Sequence, residues 1–321
     1  MTLEEILENI PKNQVIGDNF IRAYKIINDP KYKKIICSIS GGADSDVMLD
    51  ICIKCDNDKK IDYVWFDTGL EYQATKDHLE YLEKKYGIQI KRYKAQKPIP
   101  VSCKKYGQPF FSKRVSDMIN RLQKHNFQWE DEPFDELYER YPRCKSALRW
   151  WCNENTGKLN ISNINFLKEF LIENHPEFKI AQECCLYAKK NLAHKIIKDG
   201  KYDLNIVGIR KAEGGVRAAA YKNCFDEKED CDIYRPLFWY SDKDKKEYEE
   251  HYGIIHSRCY TEYGLKRTGC AGCPFGRDFE FELDVIKMHE PKLYKAVINI
   301  FKESYEYSQK FKQFRKERKN R

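Results

Sequence analysis

Apolar and polar positions in the first third of the chain follow two periods in turn. Ile6, Ile10, Phe20, Tyr24 and Ile27 recur at helical spacing, which predicts helix with one buried face over residues 1–30. The apolar run Lys34-Ile35-Ile36-Cys37-Ser38-Ile39 reads as a strand, Tyr63-Val64-Trp65-Phe66 as a second, and the alternating Ile88-Gln89-Ile90-Lys91-Arg92-Tyr93 as a third. Helix-like segments separate them, beginning at Asp46 and at Ala74, and the second closes on a glycine stop at Gly87. Strand, helix, strand, helix, strand in this order predicts an α/β fold with a doubly wound, mostly parallel sheet. Ligands of such sheets collect outside the carboxyl ends of the strands.

Beyond residue 98 the pattern loosens. Residues 98–160 read as an irregular, aromatic-rich insertion with short helices around Ser112–Lys124 and Asp135–Trp151. Glu169 to Gly200 reads as helix broken near His175-Pro176, and Tyr202 to Ile209 as a late strand. A charged helix is expected over 241–253, and one or two more over 280–316, interrupted at Glu290-Pro291.

Composition narrows the class. The 321 residues are 41% hydrophobic and 34% charged, with a mean hydropathy of −0.76. No apolar run approaches the ~20 residues of a membrane span, and the acidic, amphipathic start lacks the pattern of a secretion signal. A cytoplasmic protein is expected, in which the 13 cysteines stay reduced and clustered ones point to metal or redox chemistry. The net charge of +8 favours polyanionic partners. Seven Lys or Arg and one Glu fall between Lys310 and Arg321, a tail that reads either as a solvated helix end or as a nucleic-acid contact.

The sharpest chemical signal is Ser40-Gly41-Gly42-Ala43-Asp44-Ser45, placed between the first strand and its helix. Glycines let the backbone approach an anion, and the N–H groups of the first helical turn then point at it. No Gly-Lys-Ser/Thr follows, so this is not the Walker loop. The second strand ends in Asp67-Thr68-Gly69-Leu70-Glu71, also at a carboxyl edge. Two cysteine pairs, Cys184-Cys185 and Cys270-Ala271-Gly272-Cys273, carry the spacing of a soft-metal site. An iron–sulfur centre, a structural zinc, buried free thiols, and a set that uses Cys259 are all compatible with that spacing. Cys224 and Cys231 read as spare thiols.

The loop resembles the pyrophosphate loop of the adenine-nucleotide α-hydrolase superfamily, to which PP-loop ATP pyrophosphatases belong. Together with Phe66 to Glu71, Gly208-Ile209-Arg210-Lys211-Ala212-Glu213-Gly214-Gly215-Val216-Arg217, Tyr234-Arg235-Pro236-Leu237 and the Cys-x-x-Cys, it is similar to the phosphoadenosine-phosphosulfate reductase family over roughly residues 30–280. The cysteine pairs resemble those of iron–sulfur adenylylsulfate reductases. A short C-terminal cysteine grouping, as in DNA-phosphorothioation sulfurtransferases, cannot be completed here because no cysteine follows Cys273.

The resemblance implies an adenine nucleotide at Ser40, Gly41, Gly42, Asp44, Ser45, Asp67, Thr68 and Gly69. It implies ATP with Mg²⁺ near Asp44, and phosphate or sulfate at Arg210, Arg217 and Lys266. It also implies a 4Fe–4S cluster on Cys184, Cys185, Cys270 and Cys273, with Cys259 as an alternative ligand. Residues 1–240 are then a PP-loop domain with an insertion at about 98–160, and 241–321 a Cys-x-x-Cys region with a basic helical tail. Assimilatory reductases end in a Glu-Cys-Gly tail whose cysteine attacks the sulfonate sulfur. Its counterpart is missing, with Cys144 or Cys152 as substitutes, so cleavage of ATP to AMP and pyrophosphate for sulfur transfer is expected ahead of sulfonucleotide reduction. A non-catalytic iron–sulfur subunit is a third reading. Partners implied are an adenine nucleotide, a nucleic acid at the tail, a sulfur-donor protein and a second copy of the chain.

Overall fold

The computed structural model describes residues 1–157, 159–214, 220–276 and 278–320. Its contacts divide the chain into two compact units, Met1–Ala95 with Lys189–Cys270, and Gln96–Ala188 with Ala271–Arg321. Each unit is discontinuous, so this division differs from the expected cut at residue 240.

The first unit holds a six-stranded sheet: β1 Ile35–Ser38, β2 Ile61–Asp67, β3 Ile90–Lys94, β4 Leu204–Val207, β5 Phe225–Asp226 and β6 Asp232–Tyr234. The spatial order is β3-β2-β1-β4-β6-β5. β1 lies parallel to β2 (Cys37 opposite Tyr63) and parallel to β4 (Cys37 opposite Ile206), and only β5 runs antiparallel, to β6. The expected doubly wound, mostly parallel sheet is therefore present. The chain leaves β1 toward β2 and β3 and later returns on its other side as β4. That makes the gap between β1 and β4 the topological switch point, where crevices open at the carboxyl edge. β5 and β6 have two and three residues, too short for a periodic pattern to reveal.

Burial follows the layers. Ile35, Ile36 and Cys37 are fully buried, as a central parallel strand covered on both faces requires. The helix Ala43–Cys55 that follows β1 buries Val47, Met48, Leu49, Ile51 and Cys52 on one side and Asp46 and Asp50 on another. Asp50 is satisfied by Lys54 and by the hydroxyls of Tyr86 (2.9 Å) and Tyr248 (2.6 Å), so its burial leaves no uncompensated charge. The helical reading of residues 1–30 resolves into two helices, Leu3–Glu8 and Gln14–Ile27, parted at Pro11.

In the second unit the expected short helices of the insertion are present as Lys113–Gln123, Phe134–Arg140 and Lys145–Trp151, preceded by a further helix, Ile99–Tyr106. Their aromatic residues fill a core in which Trp150, Trp151, Phe110 and Phe170 are nearly inaccessible. Phe110 and Phe170 pack on Tyr307, at 4.8 and 4.9 Å between ring centroids. Tyr307 belongs to the basic helix Lys302–Lys319, whose inner face is apolar. Among the described residues no helix is long and apolar enough to cross a membrane.

Candidate functional site

The site in the first unit is built from the loop after β1. Ser40–Gly42 turn the chain from strand to helix, with Gly41 at φ +69° and a Cβ there only 2.6 Å from Thr75 Cγ2. The position thus requires glycine for its backbone and for its space. Gly42 is the helix N-cap, with no side-chain cap bond. A Cβ on it would meet Thr268 Oγ1 at 3.1 Å and the Ser40 and Tyr260 hydroxyl oxygens at 3.2 Å. The Gly42 N–H donates to Ser40 Oγ and the Ser40 N–H to Ser45 Oγ, each at 3.3 Å. The Ala43 N–H is close enough to the Tyr260 hydroxyl to oppose the rise that burial gives its pKa, and that hydroxyl lies 3.1 Å from Thr268 Oγ1. The N–H groups at the start of this helix thus meet hydroxyl oxygens, in surroundings that suit an anion.

Opposite the loop, across the switch point, β4 delivers Arg210. Its Nε donates to Asp44 Oδ1 at 3.0 Å and its Nη1 to Asp242 at 2.8 Å. Lys245 reaches the same Asp44 oxygen at 3.2 Å and Glu249 at 3.0 Å. Glu249 accepts from His256 Nε2 at 2.9 Å, His256 Nδ1 meets Asp46 at 2.8 Å, and Asp46 meets His78 Nε2 at 3.0 Å. A chain of alternating charge thus runs from Asp242 through the helix start to His78. Burial alone would lower the His256 pKa, but its hydrogen bonds to Asp46 and Glu249 outweigh that and raise it to about 9. Burial likewise disfavours the charged Lys245, and the Asp44 carboxylate, with Glu249, reverses the effect.

The His256 pair has a stability signature. Its pKa is raised in the folded state, so the stabilisation is complete below the unfolded value near 6.5 and is lost as pH rises through about 9. The shift is worth about 3 kcal/mol. The melting temperature of the wild type is expected to fall between about pH 6.5 and 9 more steeply than that of His256→Gln, measured by calorimetry in buffers of matched ionic strength. Parallel curves for the two proteins would contradict the pairing.

At the end of β2, Asp67 Oδ1 accepts from the Gly69 N–H at 2.9 Å, and the fully buried Thr68 donates its hydroxyl to Glu71 at 2.6 Å. Burial pushes the Glu71 carboxyl up, opposed by Lys189 and Thr68. Cys270 Sγ lies 3.5 Å from Thr68 Oγ1, so this cysteine stands beside the acidic turn within the first unit. Cys259, the alternative metal ligand, is fully buried, 3.6 Å from Thr75 Oγ1.

The other expected metal ligands, Cys184, Cys185 and Cys273, belong to the second unit. There Cys184 shares a hydrogen bond with Cys103, which together with burial and the nearby Cys273 pushes its thiol well up, while Cys185 opposes the shift. Cys103, on the helix Ile99–Tyr106, was not expected in this company. Among the described residues no group of three or more His, Cys, Asp or Glu side chains is arranged to hold a metal ion. Cys144 and Cys152 donate to the Arg121 and Glu132 carbonyls, and burial raises both thiols, so neither stands as a ready thiolate.

Of the expected phosphate-site cations, Arg210 is brought to the loop, Lys266 is exposed, and Arg217 lies outside the described residues. Lys245, Tyr260 and Thr268 complete the surroundings of the loop and were missed. Their signal is faint: Lys245 sits in a run of Asp, Lys and Glu that reads as a solvated helix, and Tyr260 and Thr268 lie in a segment without periodicity.

Comparison with known proteins bears on the same segment. An uncharacterized protein of Methanocaldococcus jannaschii is 26% identical over 305 residues, covering 94% of this chain. The chain spans 47% of that relative's length. The solved phosphoadenylyl-sulfate reductase of Candida auris, in a phosphate complex, is similar at 13% identity and a TM-score of 0.41, covering 81% of this chain and 96% of its own. The U34-tRNA thiolase NcsA of Methanococcus maripaludis, with its [4Fe-4S] cluster, is similar at 14% identity and a TM-score of 0.39, covering 93% of this chain and 80% of its own. The family model that matches is the phosphoadenosine phosphosulfate reductase domain, over residues 34–131. That stretch takes in β1, the diglycine loop, β2 with its acidic turn, and β3, so the match covers the loop and both carboxyl-edge turns.

Proposed function

We propose that the first unit binds an adenine nucleotide with its phosphates on the Ser40–Ser45 loop, and that it cleaves ATP at the α-phosphate to activate an acceptor for sulfur transfer. The observation that carries this reading is the convergence at the β1/β4 switch point. The uncapped helix start after Gly42, Arg210 and Lys245 meet there, inside or beside the matched domain. Arg210 and Lys245 now share one oxygen of Asp44. A polyphosphate entering the crevice would draw both cations toward it, and the Ala43 N–H would donate to a phosphate oxygen. The turn Asp67–Gly69 is proposed to face the adenosine.

In the step itself an acceptor oxygen attacks the α-phosphorus, forming one P–O bond. The P–O bond to the β-phosphate breaks, and pyrophosphate leaves with the electron pair. Arg210 and Lys245 offset the charge that develops on the departing oxygens. A sulfur nucleophile then displaces AMP from the acceptor carbon. Mg²⁺, arriving with ATP, would supply charge neutralisation on the phosphates. Asp44 Oδ1 is held by two cations, so a direct bond from that oxygen to the ion would have to displace them.

The iron–sulfur reading of the cysteine pairs is tested by an iron and sulfide count on anaerobically prepared protein: a full cluster complement would support it, and protein without iron would remove it. A nucleic-acid acceptor is the reading offered for the basic helix Lys302–Lys319, although Lys312 is already paired with Glu280 and Arg318 with Glu173.

The domain match also favours a second reading, reduction of a sulfonucleotide to sulfite. Product analysis separates the two. Incubation with ATP and Mg²⁺ is expected to release AMP and pyrophosphate, whereas sulfite from a sulfonucleotide and a dithiol reductant would establish the reductase instead. Nucleotide binding without either product would identify a subunit that needs a partner.

A further inference from the structure

A cavity of about 140 Å³ opens in the first unit, away from the residues assigned to the nucleotide. One wall is a face of the helix Gln14–Ile27, which presents Asp18, Asn19 and Arg22 at helical spacing. The other wall comes from Cys224, from Tyr234 at the end of β6, and from the turn carrying Trp239 and Tyr240.

Three polar atoms of these walls are buried and make no hydrogen bond: Asn19 Oδ1 and the hydroxyl oxygens of Tyr234 and Tyr240. Both tyrosines are buried to 1% exposure or less. Buried polar groups are normally paired, and leaving one unpaired is costly. Three in the lining of one cavity point to a missing occupant that both donates and accepts.

The opening carries its own charge pattern. Asp18 and Arg22 are exposed and stand one helical turn apart, and among the described residues neither forms an ion pair. Arg22 Nη1 donates to Cys224 Sγ at 2.8 Å, which fixes the guanidinium over the cavity and leaves its other N–H groups available. Trp239, half exposed, provides a flat apolar rim. A cation site and an anion site this close match a molecule that bears both charges on adjacent atoms.

We propose that this cavity binds a free α-amino acid. Its ammonium pairs with Asp18 and its carboxylate with Arg22, and its side chain enters the cavity toward Asn19, Tyr234 and Tyr240. The space suffices, since a cavity of about 150 Å³ accommodates a benzene ring. A simple anion would be repelled by Asp18 and a simple cation by Arg22, and an apolar molecule would leave the three polar atoms unpaired.

The test is calorimetric titration of the full chain, without nucleotide, against the free L-amino acids and against N-acetyl and amide derivatives of any that bind. Saturable binding of at least one free amino acid is expected. Cancelling either of its charges should weaken it about tenfold or more, as should Asp18→Asn and Arg22→Gln, each of which removes one charge-assisted hydrogen bond. Tyr234→Phe is expected to raise the melting temperature of the unliganded protein and to reduce the rise that the amino acid produces. A panel in which nothing binds, leaving a cavity that is only hydrated, would overturn the proposal. So would binding that survives unchanged in both charge variants.

Discussion

Gly41→Ala is expected to reduce ATP affinity about a hundredfold while the protein stays folded. A residue with a Cβ pays roughly 1–2 kcal/mol to hold the left-handed backbone, here φ +69°. The added Cβ also lies 2.6 Å from Thr75 Cγ2, and such overpacking costs about 1–3 kcal/mol. The loop relaxes by shifting Gly42 and Ala43, whose N–H groups form the proposed phosphate cradle. Together the two terms reach about 3 kcal/mol, a factor of about 10² in binding. They can be separated, because Thr75→Ser deletes Cγ2 but leaves the backbone demand. Gly41→Ala with Thr75→Ser should therefore recover about tenfold of the loss. Titration calorimetry with ATP and with pyrophosphate reads both effects, and circular dichroism confirms the fold. Unaltered affinity in Gly41→Ala would remove the loop from the nucleotide site.

The second large effect is expected at Arg210. Arg210→Gln keeps a hydrogen-bonding side chain but removes the charge, and turnover to pyrophosphate should fall by about 10²-fold or more, as for other preorganised charge-stabilising groups. ATP affinity should fall less, because the loop N–H groups and Lys245 remain. Arg210→Lys should recover little, since a single ammonium cannot span Asp44 and Asp242 as the guanidinium does at 3.0 and 2.8 Å. Steady-state kinetics that separate kcat from KM check this. A change confined to KM would reassign Arg210 to ground-state binding.

Much of this arrangement was legible in the sequence because it is local. The apolar run before Ser40, the paired glycines and the helix after them specify strand, turn and cradle within about twenty residues. β1 to β3 appear close to their expected places for the same reason. Lys245 was not legible, because it lies 201 positions from Asp44 and its helix, Asp242–Tyr252, has the composition of an exposed one. Tyr260, Thr268 and His256 come from a segment whose role depends on tertiary placement alone.

The two cysteine pairs were legible as spacing and as a resemblance, whereas the neighbours Thr68 of Cys270 and Cys103 of Cys184 were not, because those contacts are tertiary. The packing of residues 96–188 with the C-terminal helix was not legible either, since it joins segments more than a hundred positions apart.

The central claim is that the diglycine turn after β1 holds the phosphates of an adenine nucleotide. Crystals soaked with an ATP analogue carrying a methylene bridge between the α- and β-phosphorus atoms test it most directly. The account predicts phosphate oxygens within hydrogen-bond distance of the Ala43 N–H, Arg210 and Lys245 moved onto the phosphates, and the adenosine over Asp67–Gly69. Density for the analogue elsewhere, with Arg210 and Lys245 still on Asp44, would contradict it.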